Sequence, residues 1–476
     1  MTPTPATASD QGISARFGLA PVCVLAACLA AGLGLWHMGL CWPDATTRLR
    51  DDAFYEFAWA ANVAAGRGPS VSDGVATSGV QLLWSLLLVP VAAIGGAAAL
   101  PVAAPILGAL LHAATAFAWW RHVRDRTTAA CLALCWLGNP LLLRECGNGQ
   151  ESALAGLLAS LLWFGRTAPP GRFAMLAIVA ALARTDLLAL VGMVSLWRMR
   201  RHGATALVAP ALAFAVASLA NLALAGSLLQ DSALPMAWLW HENLAAADPA
   251  GTQHARNVWW FLRPVLLGGP FALVSAFGWA LAVFVVVRPL LPAGARALPA
   301  LLVGCASAVG ARDLLTPGIV ALLLAVLPAA GRRAVPTALL AAMLGLAAIV
   351  ALHWGLRWYP RDYYLVPLAV VAAAAVQRCG RHRLLLLAFA AAQCVDFGRV
   401  REEPLAGQAE MQMAGQYLGE LLPPGERVGC FNSGLVTFHA DVLAGPERRL
   451  GIVNLDGVVD ARSFAALRTG ELGAWL

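Results

Sequence analysis

Runs of about 20 apolar residues, nearly free of charge, recur along much of the chain. That is the length an α-helix needs to cross a hydrocarbon core about 30 Å thick. A chain of such runs has too little polar surface to cover them in water. Of its 476 residues, 60% are hydrophobic and 12% charged, against the roughly 25% charged content of soluble domains. A soluble globular enzyme, a coiled coil and a disordered chain are excluded. The sequence reads as an all-α polytopic membrane bundle of about 13 spans. The candidate spans are 17–41, 101–120, 128–143, 152–166, 172–183, 187–197, 203–224, 266–287, 298–311, 314–330, 335–352, 363–377 and 383–396. The stretch 17–41 is too long for a signal-peptide core and no small-residue cleavage site follows it, so it reads as a retained span. The pair 172–183 and 187–197 reads either as two segments or as one long helix carrying Arg184 and Asp186 at depth.

All 33 basic residues are Arg, and the formal net charge is +7. They scatter through short loops, which marks them as orientation signals and not as a nucleic-acid surface; no nucleic acid is expected as a partner. The clusters are Arg121/Arg124/Arg126, Arg166/Arg172, Arg198/Arg200/Arg201, Arg288/Arg296, Arg332/Arg333 and Arg378/Arg381/Arg383. Placing all of them in the cytoplasm requires that 79–98 not cross the membrane. That stretch therefore reads as a helix lying in the interface or re-entering from outside, which its Trp84 and Pro90 suit. The outer segments are then 42–78, 144–151, 184–186, 225–265, 353–362 and 397–476. At 397 the composition breaks, and "ERVGCFNSGLVTFHA" followed by "RRLGIVNLDGVVD" reads as strand, loop, strand. Two domains are expected: a transmembrane domain over 1–396, with its first outer loop at 42–100, and a small, partial α/β extracytoplasmic domain over 397–476. Cys131 and Cys135 lie one helical turn apart without His or acidic partners nearby, a packing pattern rather than a metal site.

Several polar residues stand out against this apolar background. Asp51 and Asp52 directly follow the first span, and adjacent carboxylates at a membrane face are costly unless solvated, paired or functional. The spacing of Phe54, Phe57, Ala58 and Ala61 predicts a short interfacial helix from Asp52, ended by Gly66 and Gly68. The two acids suit the start of that helix as well as chemistry. Glu151, opening 152–166, reads as a helix-dipole acid or as part of an acidic cluster. Arg184 and Asp186 read as an ion pair at a helix break or as functional groups in an apolar segment. Arg361, beside Tyr363 and Tyr364, reads as a phosphate ligand or an interfacial anchor. Trp238, Trp240, His241, Trp259 and Trp260 form an aromatic belt or a sugar-stacking platform. His241 and Glu242 are adjacent and His254 is distant, which is not a zinc spacing. A divalent cation, if one binds, would find oxygen ligands at Asp51, Asp52 and Glu151, which favour Mg, Ca or Mn.

These elements occur in a recognisable order. "RLRDDAFYEFAWAANVAAGRGP" runs on to a Gly before "VQLLW", and "GNGQESAL" (147–154), "LARTD" (182–186), "GSLLQDSAL" (226–234), "RDYYLVPL" (361–368), "CFNSGLVTF" and "VNLDGVVD" follow. The ordered set resembles the GT-C superfamily of membrane glycosyltransferases, in particular the mycobacterial terminal arabinofuranosyltransferases and related bacterial proteins. The resemblance covers most of the chain. It implies an inverting transferase that moves a hexosyl or pentosyl group from a polyprenyl-phosphate donor to a cell-envelope glycan, lipid or protein acceptor. The site would face outward from a bacterial cytoplasmic membrane. Asp52 would be the general base and Asp51 its partner; Arg361, Tyr364, Arg184, Asp186, Glu151 and His241 would serve the donor phosphate and substrate. Three departures stand out. Gln230 replaces a common Pro. No Lys is present, so any Lys role falls to Arg. The chain stops at Leu476, where similar proteins continue for further strands. A transporter or flippase would show repeat symmetry and midplane charges, and a lipid-linked glycan polymerase or ligase a long outer loop between late spans; neither pattern is visible.

Overall fold

The computed structural model describes residues 45–71, 74–239, 407–445 and 447–476, with isolated positions elsewhere. A 3-10 turn, Ala45–Arg48, leads into α1 (Asp51–Ala64), whose first turn carries Asp51 and Asp52 at the end where the helix dipole favours negative charge. Gly66 and Gly68 stop it with φ of +72° and +90°, a conformation that favours glycine. The expectation of an interfacial helix fails here. Every α1 residue from Ala53 to Asn62 is buried, because α2 (Leu82–Gly95) packs on one side and the C-terminal segment on another.

At about 1.5 Å per residue the 14 residues of α2 extend only about 21 Å, short of a full crossing. Trp84 is not an interfacial anchor: it is fully buried, and its indole Nε1 donates to the Gly149 carbonyl at 3.0 Å. The helices α3 (Leu100–His122), α4 (Arg126–Leu137), α5 (Pro140–Cys146), α6 (Ser152–Gly165), α7 (Pro170–Ala183), α8 (Leu187–His202), α9 (Val208–Ala225) and α10 (Ala233–Trp238) follow. The expected span 128–143 divides between α4 and α5. Pro140 has no N–H to continue α4, and the Asn139 side chain caps the new helix by accepting from Leu142 N at 3.1 Å. The stretch 172–197 is two helices, since Arg184 is extended at φ −157° and ψ 120°. Two helical runs among the described residues are long and apolar enough to cross a membrane. They are Ala97–His122, of 26 residues, and Leu187–Ala225, of 39, in which α8 and α9 join through a 3-10 turn. The expected spans 17–41 and 266–396 lie outside the described residues, apart from isolated positions.

Arg198, one of the expected orientation signals, is buried. Its guanidinium donates to the carbonyls of Gly165, Arg166 and Ala168, closing the C-terminal end of α6, where orphan carbonyls attract a cation.

The C-terminal segment contains α11 (Gln408–Leu421), β1 (Arg427–Cys430), α12 (Gly434–Thr437) running into a π-type turn (Phe438–Val442), β2 (Gly451–Asn454), α13 (Ala461–Thr469) and α14 (Leu472–Trp475). The two strands pair in parallel, from Arg427 opposite Gly451 to Cys430 opposite Asn454. A tight hairpin cannot join parallel strands, so the expected loop between them is a helical crossover. The described residues are mostly helical, with this small strand pair. Phe438 in the crossover packs against Phe54 and Phe57, with ring centroids 5.4 and 6.0 Å apart. Its face thus joins the core around α1.

Candidate functional site

The site is built at the first turn of α1. Asp51 caps a helix, but not its own: α1 has no side-chain cap. Its Oδ1 accepts from Leu435 N at 2.7 Å and its Oδ2 from Gly434 N at 3.3 Å. The orphan amides of α12 are thus satisfied by a carboxylate from the far end of the chain. One turn on, the Tyr55 hydroxyl accepts from Ser433 N at 3.0 Å and from Asn454 Nδ2 at 3.2 Å. Asp456 closes the opposite side, accepting from Asn432 N and Val458 N at 3.2 and 3.1 Å. Gly434 sits so close to α1 that an added Cβ would lie 2.3 Å from the Asp51 carbonyl oxygen. Gly434→Ala should therefore loosen the C-terminal segment by about 1–3 kcal/mol, the scale of overpacking. Limited proteolysis should cut residues 407–476 faster in the variant; an unchanged cleavage rate would refute this docking.

Asp52 follows Asp51 in the first turn of α1. Its charge acts on Asp51, Tyr55, Glu56, Glu151 and Asp456. Among the described residues no hydrogen bond or ion pair holds its carboxylate, which is partly exposed. Burial pushes Asp51 up to about 7 despite its two amide donors, with the adjacent Asp52 adding to the rise. Burial likewise raises Glu56, with Glu151 and Asp52 contributing, and raises Asp456, with Asp52 contributing. Glu56 is one turn beyond Asp52 on the same face of α1, and its Oε2 is buried without a partner among the described residues.

The Asp51 shift has a definite sign. Folded Asp51 holds its proton up to about pH 7, whereas the unfolded side chain releases it near 3.8. The native state thus binds more protons in that window, and stability falls as pH rises through it, by at most about 1.4 kcal/mol per pH unit. Asp51→Asn should flatten this part of the profile of thermal midpoint against pH. An identical profile in both proteins would show that Asp51 does not titrate there.

Behind the carboxylates lies a cationic layer. The break between α7 and α8 turns Arg184 inward. Its Nε lies 3.1 Å from Asp186 Oδ1 and 3.6 Å from Glu151 Oε1, Nη2 bonds Asp186 Oδ2, and Nη1 donates to the Tyr363 carbonyl at 3.0 Å. Burial raises Glu151 while Arg184 opposes the rise. The Tyr363 ring faces two guanidiniums, Arg184 at 5.4 Å and Arg50 at 5.7 Å. Arg50 and Arg144 share the fully buried Glu145, at 3.1 and 3.2 Å, and Asn148 Nδ2 donates to its other oxygen at 2.8 Å. Burial works against the Glu145 charge, but the two Arg hold its carboxyl below the usual range.

The segment between α1 and α2 ties these parts together. Asp231 accepts from Thr77 Oγ1 and Ser78 N, both at 2.9 Å, and Gln230 Nε2 donates to the Val80 carbonyl at 3.1 Å. A Cβ on Gly79 would fall 2.2 Å from the Val458 carbonyl oxygen, so only glycine permits this crossing. Of the expected site residues, Asp51, Asp52, Glu151, Arg184 and Asp186 are brought together; Arg361, Tyr364 and His241 lie outside the described residues. Asp51, Asp52 and Glu151, the expected oxygen ligands of a divalent cation, are differently engaged. Asp51 has an amide on each oxygen and Glu151 faces a guanidinium, and among the described residues no three His, Cys, Asp or Glu side chains gather to hold a metal. The residues unanticipated from sequence are Arg50, Tyr55, Glu56, Glu145 and Asp456. The four-residue spacings Asp51–Tyr55 and Asp52–Glu56 are the signal for two of them. No family model matches the chain, and no curated protein or solved structure matches it.

Proposed function

We propose that this protein is an inverting glycosyltransferase of the bacterial cytoplasmic membrane, moving a sugar from a polyprenyl-phosphate donor to an extracytoplasmic glycan, lipid or protein acceptor. The observation that carries this reading is the state of Asp52. It is a partly open carboxylate, held by no bond among the described residues and ringed by acids and a tyrosine, with the Arg184 layer behind. A general base must be free to take a proton. Asp52 takes the proton of the acceptor hydroxyl as that oxygen bonds to the anomeric carbon. The bond from that carbon to the phosphate oxygen breaks on the opposite face, and polyprenyl phosphate leaves with the electron pair. Arg50, Arg144 and Arg184 supply positive charge for the phosphate side. Their shared carboxylates and Tyr363 keep them in place. Two of the ordered sequence elements, around Ser433–Leu435 and Asn454, bond Asp51 and Tyr55 in the first turns of α1, which supports the same reading. The test is incubation of purified protein with a panel of radiolabelled polyprenyl-phosphate sugars, following release or transfer of label. Turnover of at least one donor is expected, and no turnover of any would sink the proposal.

A further inference from the structure

The ends of α6 and α8 away from Glu151 and Asp186 carry a second polar centre, of opposite sign. Side-chain contacts draw four helices together there. The rings of Trp119 and His122, in the last turn of α3, lie 4.8 and 4.4 Å from the ring of Phe164 near the end of α6. Arg198, near the end of α8, donates to the carbonyls of Gly165, Arg166 and Ala168 and lies 4.3 Å from the ring of Phe173 in the first turn of α7. Glu151 precedes the 14 residues of α6, which at 1.5 Å per residue set the two centres about 21 Å apart. Across 121–126, 166–172 and 198–202 stand eight Arg and one acid, Asp125. That acid caps α4, accepting from Thr128 N at 3.0 Å. Arg121, Arg124, Arg126, Arg172, Arg200 and Arg201 are exposed. Two guanidiniums lie over indole rings, Arg166 at 4.0 Å from Trp163 and Arg126 at 5.3 Å from Trp120, which steadies the cations. The helix dipoles account for Arg121 in the last turn of α3 and for Arg200 and Arg201 in that of α8. They do not account for Arg124, Arg126 and Arg172, which stand just before or within the first turns of α4 and α7, the ends that disfavour a cation. Ala97–His122, long and apolar enough to cross a membrane, ends in this patch.

We infer that this patch is a docking surface for the anionic headgroups of a phospholipid leaflet, with Arg124, Arg126 and Arg172 binding their phosphates. Guanidiniums fork two hydrogen bonds to phosphate oxygens, and basic side chains beside a membrane helix are drawn to a negatively charged leaflet. The surface does not rest on the transferase reading. The test uses the full chain in neutral detergent, with short-chain phosphatidylglycerol titrated against phosphatidylcholine of the same chain length and thermal unfolding as the readout. Phosphatidylglycerol should raise the unfolding midpoint along a saturating curve that flattens as salt is added, and phosphatidylcholine should not. The double variant Arg124→Gln, Arg172→Gln should weaken the phosphatidylglycerol response by roughly 25-fold, about fivefold for each Arg. If that variant folds poorly, Arg124→Gln alone still carries the fivefold expectation. The double variant Arg448→Gln, Arg468→Gln removes the same charge from the C-terminal segment and should respond like the wild type. An equal rise with phosphatidylcholine, a wild-type response when Arg124 and Arg172 are replaced, or an equal loss in the Arg448 and Arg468 variant would overturn the inference. So would inorganic phosphate reproducing the rise at the same concentration, which would assign the patch to a soluble anion.

Discussion

Asp52→Asn is expected to bind a lipid-phosphate donor normally and to lose roughly 10²–10⁴ in transfer rate. The amide keeps the size of the side chain but cannot accept the acceptor proton. No bond among the described residues holds Asp52, so the substitution should cost little structure. If Asp52 served only as an N-terminal acid of α1, the variant would lose at most about 0.5–2 kcal/mol of stability and keep its turnover per folded molecule. Asp51→Asn should be milder in rate, because both Asp51 oxygens are occupied by the amides of Gly434 and Leu435. Single-turnover rates normalised to folded protein separate the two roles. Near-wild-type transfer by Asp52→Asn would remove this residue from the mechanism and make Asp51 or Glu151 the next candidate base.

The largest stability effect is expected at Arg184. Arg184→Ala should destabilise the protein by about 3–5 kcal/mol, the scale for breaking a buried ion pair by removing one partner. The loss leaves Glu151 buried without its cation and takes a donor from the Tyr363 carbonyl. The double variant Arg184→Ala, Glu151→Gln should recover part of the loss, since the stranded charge is then gone. Unfolding midpoints of the two single variants and the double variant form the cycle. Strict additivity would mean that the 3.6 Å approach of Arg184 and Glu151 carries no coupling.

The helical class and several helix positions among the described residues were legible in the sequence because apolar length is a local property. Segments 101–120, 152–166 and 172–183 lie within or close to α3, α6 and α7. The misreadings arose where tertiary contacts override local pattern. Trp84 and Pro90 suited an interfacial helix, yet Trp84 is buried by the turn at Gly149. Phe54, Phe57, Ala58 and Ala61 marked one face of α1, but the face bearing Tyr55 is covered as well, by a segment nearly 400 positions away. No pattern within α1 can announce that partner. The same reason explains the site. Adjacent Asp51 and Asp52 are conspicuous in an apolar chain, and Arg184 with Asp186 is conspicuous inside an apolar run. Glu56 and Glu145 were not singled out by the sequence. Their importance comes from burial beside other charges, which only the packing of α1, α6 and the α7–α8 break creates.

The carboxylate that caps α12 bears on how the protein comes into being. Asp51 and its amide partner on Gly434 are separated by 383 residues. At a synthesis rate of about 5–20 residues per second, the first turn of α1 waits roughly 20–80 s for that partner to be made. Throughout that interval Asp51 and Tyr55 lack the groups that hold them in the finished molecule. Assembly of this centre therefore has to wait for the strand Gly451–Asn454, and a nascent protein stalled short of that strand carries Asp51 and Tyr55 without their full set of partners.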